Sequence, residues 1–267
     1  MSRVVGKFGL RPTPHGVRWP LKFSSYVDAT KLPPIPDGDF GHTDLLTESI
    51  GIYCNDQLGC CVVAGAEHET RLWHAEGTGR DEVVFDDDTT ISNYTLLGNY
   101  NPEDPYSDQG CDMVNAAQIR MDKGIVDSAG KTHKVGVALQ LQPGNWEQLL
   151  YAAYYFDGFG LGILVTPAMQ QAFQNDQPWD ACDFNPNDVE GGHYVPAVGR
   201  VDGDIVVITW GEPQKLTRAL YTSDQFNTTV FAYASPEKLR GGKDLEGLSW
   251  SDMRADINAL ATLADAA

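Results

Sequence analysis

The most β-prone run in the chain is Ile205-Val206-Val207-Ile208-Thr209-Trp210. Branched and aromatic side chains of this kind favour a pleated strand. Asp202-Gly203-Asp204 supplies turn chemistry just before it, and Tyr194-Val195-Pro196-Ala197-Val198-Gly199 reads as a partner strand. The two make a hairpin, so a fold for this chain has to contain antiparallel sheet. Further strands are expected over Leu161 to Val165, Lys215 to Leu220 and Thr229 to Ala232.

Helices precede these strands. From Cys61 to Glu76 there is no proline and one interior glycine, and Val63, Ala66, Thr70 and Trp73 recur at helical intervals. A second helix is expected from Asp112 to Lys123, stopped by Gly124, and a third from Trp146 to Phe156 after the Pro143-Gly144-Asn145 turn. Between the first two, residues 77–112 read as loop, with Asp86-Asp87-Asp88 as a solvated acidic run. Residues 1–50 carry Pro12, Pro14, Pro20, Pro33, Pro34 and Pro36 and form an extended arm, ordered only by docking on a domain surface. The domain itself spans 51–240, and 241–267 forms a helical tail built on the Ala- and Leu-rich stretch from Trp250 to Ala266.

Charge narrows the partners. The 267 residues hold 19 Lys+Arg against 37 Asp+Glu, a net charge of −18. A surface this negative repels phosphate backbones and anionic lipid, so nucleic acid is not expected as a partner. The longest near-apolar run, Phe159 to Val165, is far short of the ~20 residues that span a bilayer, so no membrane insertion is expected. The N-terminus has no apolar core of a signal peptide, which points to a cytoplasmic protein. Five cysteines, an odd number, leave at least one free thiol and suit a reducing compartment. A Cys54–Cys111 disulfide stays open only for an extracellular protein.

A thiol becomes a nucleophile when held as thiolate, which a helix N-terminus and an imidazolium both favour. Cys61 follows Gln57-Leu58-Gly59-Cys60 and opens the first helix. Taken alone it also reads as a small buried residue at the start of a core helix. Among six histidines, His193 follows Gly191-Gly192 and opens a strand. The separation, 193 − 61 = 132 residues, lies within the ~130–150 of the papain-type interval from nucleophile to base.

The sequence resembles the papain-like cysteine peptidases through Asn55-Asp56-Gln57-Leu58-Gly59-Cys60-Cys61, Gly191-Gly192-His193-Tyr194-Val195 and Ile208-Thr209-Trp210-Gly211. In that family a Gly-x-Cys turn opens the central helix, a Gly-His strand presents the imidazole, and Asn-Ser-Trp-Gly orients and shields it. The resemblance runs from about Tyr53 to Gly211. It implies an α+β fold in which a helical N-terminal part, with the central nucleophile helix, packs against a C-terminal antiparallel sheet or half-barrel. Departures are plain. Leu58-Gly59-Cys60-Cys61-Val62 stands for Cys-Gly-Ser-Cys-Trp, and the oxyanion-hole glutamine, six before the nucleophile, is Asn55, with Gln57 four before. Alignment on Trp210 puts Ile208 at the family's asparagine, whereas a one-residue shift gives Thr209, and Asp202 and Asp204 are fallback orienting groups. Asn55, Gly59, Gly192 and Trp210 are expected to line or shield the cleft.

The activity this implies is amide cleavage by acyl transfer: Cys61 attacks, Gln57 and the Cys61 N–H hold the oxyanion, His193 moves the proton and Thr209 orients it. A peptide or protein is the expected substrate. No cofactor is called for, and no metal is expected, because the C-x2-C spacing is absent and the acidic runs do not fit a calcium loop. A second, weaker likeness lies in Tyr94 and Gly98-Asn99-Tyr100-Asn101-Pro102 to Asp108-Gln109-Gly110, similar to a loop of bacterial and phage papain-fold proteins. Those lack an inhibitory propeptide, none is read in this chain, and a phage-encoded member would be virion-associated. Two other functions stay open. One is a catalytically silent papain fold with a structural or binding role, motivated by Ile208 and by an arm able to meet a protein partner. The other is a cell-wall peptidase, whose Cys-to-His separation is usually far shorter.

Overall fold

The computed structural model describes residues 3–27, 32, 34–41, 50–79, 82–156 and 158–236. The expected tail 241–267 and its helix lie outside them.

The expected hairpin sits in the middle of one antiparallel sheet. Its strands, in chain order with two short outlying ones, are β1 (Leu10–Arg11), β2 (Cys111–Asp112), β3 (Val137–Gln140), β4 (Phe159–Val165), β5 (Gly191–Val201), β6 (Asp204–Thr209), β7 (Glu212–Leu216) and β8 (Asn227–Ala234). The sheet's main path runs β7-β6-β5-β4-β8-β3, antiparallel at each step, with the two-residue strand Phe40–Gly41 pairing β5 off that path, while β1 pairs with β2 in parallel. Asp202 (φ 54) and Gly203 (φ 86) are both left-handed, the twist that a two-residue hairpin turn requires. Trp210 (φ 47) and Gly211 (φ 78) repeat that turn between β6 and β7. The strand expected over Lys215 to Leu220 runs instead over Glu212–Leu216, because the Thr217 side chain accepts from the Leu220 N–H and starts a short helix.

Among the described residues five longer helices accompany the sheet: α1 (Cys61–Thr78), α2 (Asp87–Gly98), α3 (Met113–Asp122), α4 (Trp146–Tyr155) and α5 (Pro167–Gln174). α2 corrects the reading of residues 77–112 as loop. The acidic run is its N-terminus: Asp86 accepts from the Thr89 N–H at 2.8 Å, and Asp87 and Asp88 occupy the first turn, where the helix dipole favours negative charge. α5 and β3 escaped the sequence reading as well; α5 begins with Pro167 at its first position, capped by Thr166.

α1 is buried from Cys61 to Trp73. It lies against β5 at Gly65, where an added Cβ would overlap the Tyr194 ring. That close approach explains a glycine inside a helix. The Tyr194 hydroxyl donates to Glu69 at 2.6 Å, and Glu69 pairs with Arg120 of α3 at 2.7 Å, all three buried. Removing one member of a buried pair of this kind costs about 3–5 kcal/mol, so the ion pair holds α1 on α3, and the Tyr194 bond ties β5 to the same carboxylate. The arm docks on its own domain: Trp19 is buried and its indole N–H donates to the Ala138 carbonyl at 2.7 Å. All five cysteines are free thiols, Cys54 and Cys111 included. Among the described residues no helix is long and apolar enough to cross a membrane.

Candidate active site

The register of α1 on β5 brings Cys61 to the strand that carries His193. Cys61 is the first residue of α1, and the backbone N–H of Tyr194, one residue past His193, faces its sulfur and favours the thiolate. The Gly9 N–H of the arm acts in the same sense. The thiol is only 1% exposed, and burial pushes its pKa up to about 11 against these donors and the helix N-terminus. Cys60, its neighbour, turns away and donates to the Tyr53 carbonyl at 3.3 Å.

His193 is buried, and its Nε2 lies 2.8 Å from Thr209 Oγ1. Its Nδ1 is buried with no hydrogen-bond partner among the described residues. Trp210 stacks on the ring at 4.8 Å with 28° between planes. Desolvation alone pushes the imidazole down to about 3, so thiol and imidazole are both neutral at pH 7. Ile208 cannot reach the ring. Alternate residues of a strand face opposite sides, and Ile208 packs with Leu72, Val198 and Val206. Asp202 and Asp204 sit at the far end of the β5–β6 hairpin, where Asp202 pairs with Lys215 at 2.7 Å.

Of the two amides before the nucleophile, Gln57 is exposed and Asn55 is buried. Asn55 Nδ2 donates to the carbonyls of Lys7 at 3.1 Å and Leu58 at 3.0 Å. The amide six residues before Cys61 therefore meets the chain that occupies the cleft. The sequence reading missed Asp108 and Tyr94 as site residues. Asp108 accepts from the Gly59 N–H at 3.0 Å and from the Tyr94 hydroxyl at 2.7 Å, and that hydroxyl accepts from the Gly110 N–H at 2.8 Å. Their signal was present, since both fall in the stretch singled out by its likeness to other papain-fold proteins.

The arm fills the cleft, a point that the sequence leaves open. Arg3 anchors it on Asp176 at 2.5 Å and Gln214 at 3.1 Å. Lys7 N–H donates to the Asn55 carbonyl at 2.7 Å, and the Gly9 carbonyl accepts from the Cys111 N–H at 2.8 Å. The glycines make room. A Cβ at Gly191 would lie 2.8 Å from that of Phe8, and one at Gly192 would lie 2.5 Å from the Leu10 carbonyl oxygen.

A buried helix-terminal cysteine, a histidine on an adjoining antiparallel strand and a tryptophan over that histidine are the arrangement of the papain fold, and the fold comparison agrees. The chain has the fold of xylellain, a cysteine protease from Xylella fastidiosa (13% identity, 90% of this chain and 98% of that one, TM-score 0.57). It is similar too to procathepsin L 3 of the Tenebrio molitor larval midgut (15%, 87% and 76%, 0.58) and to procathepsin B S9 from Trypanosoma congolense (12%, 87% and 86%, 0.56). No protein-family model and no curated protein sequence matches the chain.

Proposed function

We propose that the protein is a cysteine peptidase or amidase kept latent by its own residues 3–12. The observation that carries this reading is His193 held between Thr209 and Trp210 on the strand whose next N–H meets the Cys61 sulfur. With Nε2–H donating to Thr209, Nδ1 carries the lone pair that takes the thiol proton. The Cys61 thiolate attacks the amide carbonyl, and Asn55 Nδ2 with the Cys61 N–H receives the oxyanion. The imidazolium then protonates the leaving amine, and water, activated by the same nitrogen, releases the acyl group. Gln57, being exposed, is not assigned the oxyanion role.

Latency follows from burial. While Gly9 sits on the sulfur, a neutral thiol near pKa 11 faces a neutral imidazole near 3, and no carbonyl can reach either. The test is hydrolysis of peptide-amide libraries by the full chain carrying Gly9→Val, which cannot seat its strap, against the parent, with Cys61→Ala and His193→Ala controls. Turnover gained in Gly9→Val and lost in both controls supports the reading. A cell-wall substrate would show as soluble muropeptides released under the same controls. A Cys61 that alkylates fast in Gly9→Val while no substrate is cleaved favours the silent binding fold instead, which the filled cleft also suits.

A further inference from the structure

The strap is a cast of the cleft it fills, and its side chains record what the walls accept. Its main chain is held by Asn55 and Cys111 through bonds that any extended peptide can make. Selection therefore falls to three consecutive positions. Phe8 stands edge-on to His193, with ring centroids 6.1 Å apart and planes at 76°, and lies 6.1 Å from Trp210. An aromatic ring fits there because two other rings form the wall.

Gly9 is the tightest point. A Cβ there would overlap the Gly59 carbonyl and come within 2.8 Å of the Gly59 Cα. The Gly9 main chain also runs close to Gly110, where an added Cβ would overlap the Gly9 carbonyl oxygen and come within 2.9 Å of the Gly9 Cα. The atoms that obstruct a side chain at Gly9 are backbone of Gly59, which is tied by its N–H to Asp108 and so cannot give way as a flexible side chain would. One position back, Lys7 Nζ is 3.9 Å from Asp108 Oδ2. That carboxylate is 16% exposed and pinned through Oδ1 by Gly59 and Tyr94, so it is set in place before any cation arrives.

We propose that the cleft is a sequence-selective peptide groove that takes a glycine against Cys61, an aromatic residue immediately before it and a basic residue before that. That such peptides are cleaved rests on the peptidase reading above; that they bind does not.

The experiment reads occupancy of the groove at Cys61, and cleavage of the same peptides is followed separately. In the full chain carrying Gly9→Val, Cys61 is alkylated with iodoacetamide in the presence of a synthetic peptide of residues 4–11, or of that peptide with Gly9→Ala or Lys7→Gln. Cys61 labels faster than in the parent, and the unaltered peptide restores slow labelling. The Gly9→Ala peptide protects at least about tenfold less well, the size of an overpacking penalty against fixed walls. The Lys7→Gln peptide is weaker by a factor of about two to five, as for a half-exposed ion pair, and that difference vanishes in an added Asp108→Asn background. Phe8→Ala, which empties a subsite without adding volume, serves as the opened chain should Gly9→Val fold poorly by circular dichroism. Equal protection by the Gly9→Ala peptide, or none by any peptide on a fast-labelling Cys61, overturns the proposal. Unchanged Cys61 labelling in both opened chains does so too, since the passage is then not tight. Protection by a peptide that is never cleaved leaves the groove standing and removes the peptidase reading, whereas cleavage of peptides lacking glycine does the reverse.

Discussion

The Thr209 hydroxyl lies 2.8 Å from Nε2 of His193 in a buried setting, at the last residue of β6. A hydroxyl can accept the ring N–H as an amide carbonyl would, and so can fix the same tautomer. The next residue, Trp210, adopts a left-handed φ of 47°, uncommon for a bulky side chain, and this swings its indole onto the imidazole. One tight turn thus orients and covers the histidine.

Thr209→Val keeps the shape and removes the partner of a buried N–H. Such an orphaned donor costs about 1–3 kcal/mol, so the urea midpoint falls. Thr209→Ser, which retains the hydroxyl, should recover most of it. Equal midpoints for Val and Ser would show that the bond contributes nothing to the fold.

Part of this site was legible in the sequence. The β5–β6 hairpin, α1, α3 and α4 follow from periodicity and turn residues, and the interval between Cys61 and His193 follows from their order. The choice between Asn55 and Gln57 was not legible. It depends on a loop in which Tyr53 (φ 50) and Cys54 (φ 57) both turn left-handed, and no local signal in these residue types announces that. The strap was hidden for a different reason: its contacts are backbone to backbone over long sequence distances, as between Gly9 and Cys111, and leave no apolar periodicity. The acid-rich start of α2 read as a solvated loop because aspartate suits both a loop and a helix N-terminus.

Acid should unfold the protein through its buried histidines. Burial holds His193 at about 3 and His68 at about 4, whereas both take up protons near 6.5 in an unfolded chain. Between pH 6.5 and 4 the unfolded state binds more protons, so stability is full above 6.5 and is lost as pH falls. His68 contributes roughly 3 kcal/mol of that loss by its shift. His68 Nε2 lies 3.0 Å from the Gly51 carbonyl, a bond that His68→Gln can keep without titrating. Denaturation midpoints of the variant should fall less steeply over that window, and parallel profiles would refute the assignment.

Glu67 should act in the opposite sense. Burial raises its carboxyl to about 8, against the bonds it accepts from Thr90 Oγ1 at 2.8 Å and Asn93 Nδ2 at 2.9 Å. The folded state keeps its proton where the unfolded state has lost it, so stability present below about 4.5 is lost as pH rises toward 8. Glu67→Gln removes this titration, and its advantage over the parent should grow from nothing at pH 4.5 to about 3 kcal/mol at pH 7. A constant difference across that range would mean that the carboxyl is already ionised in the fold.

Gly65→Ala sets two effects against each other. In a helix interior alanine is favoured over glycine by about 1 kcal/mol. Here, however, the new methyl would overlap the Tyr194 ring, and overpacking a fitted core costs about 1–3 kcal/mol. Tyr194 has little room to retreat, because a Cβ at Gly160 on its other side would overlap its hydroxyl, and that hydroxyl is bound to Glu69. The clash should win. Net stability then falls, and the Tyr194 N–H shifts off the Cys61 sulfur, so Cys61 alkylation in Gly65→Ala, Gly9→Val departs from that in Gly9→Val alone. A more stable Gly65→Ala chain would mean that α1 and β5 are not in the close contact on which the position of Cys61 depends.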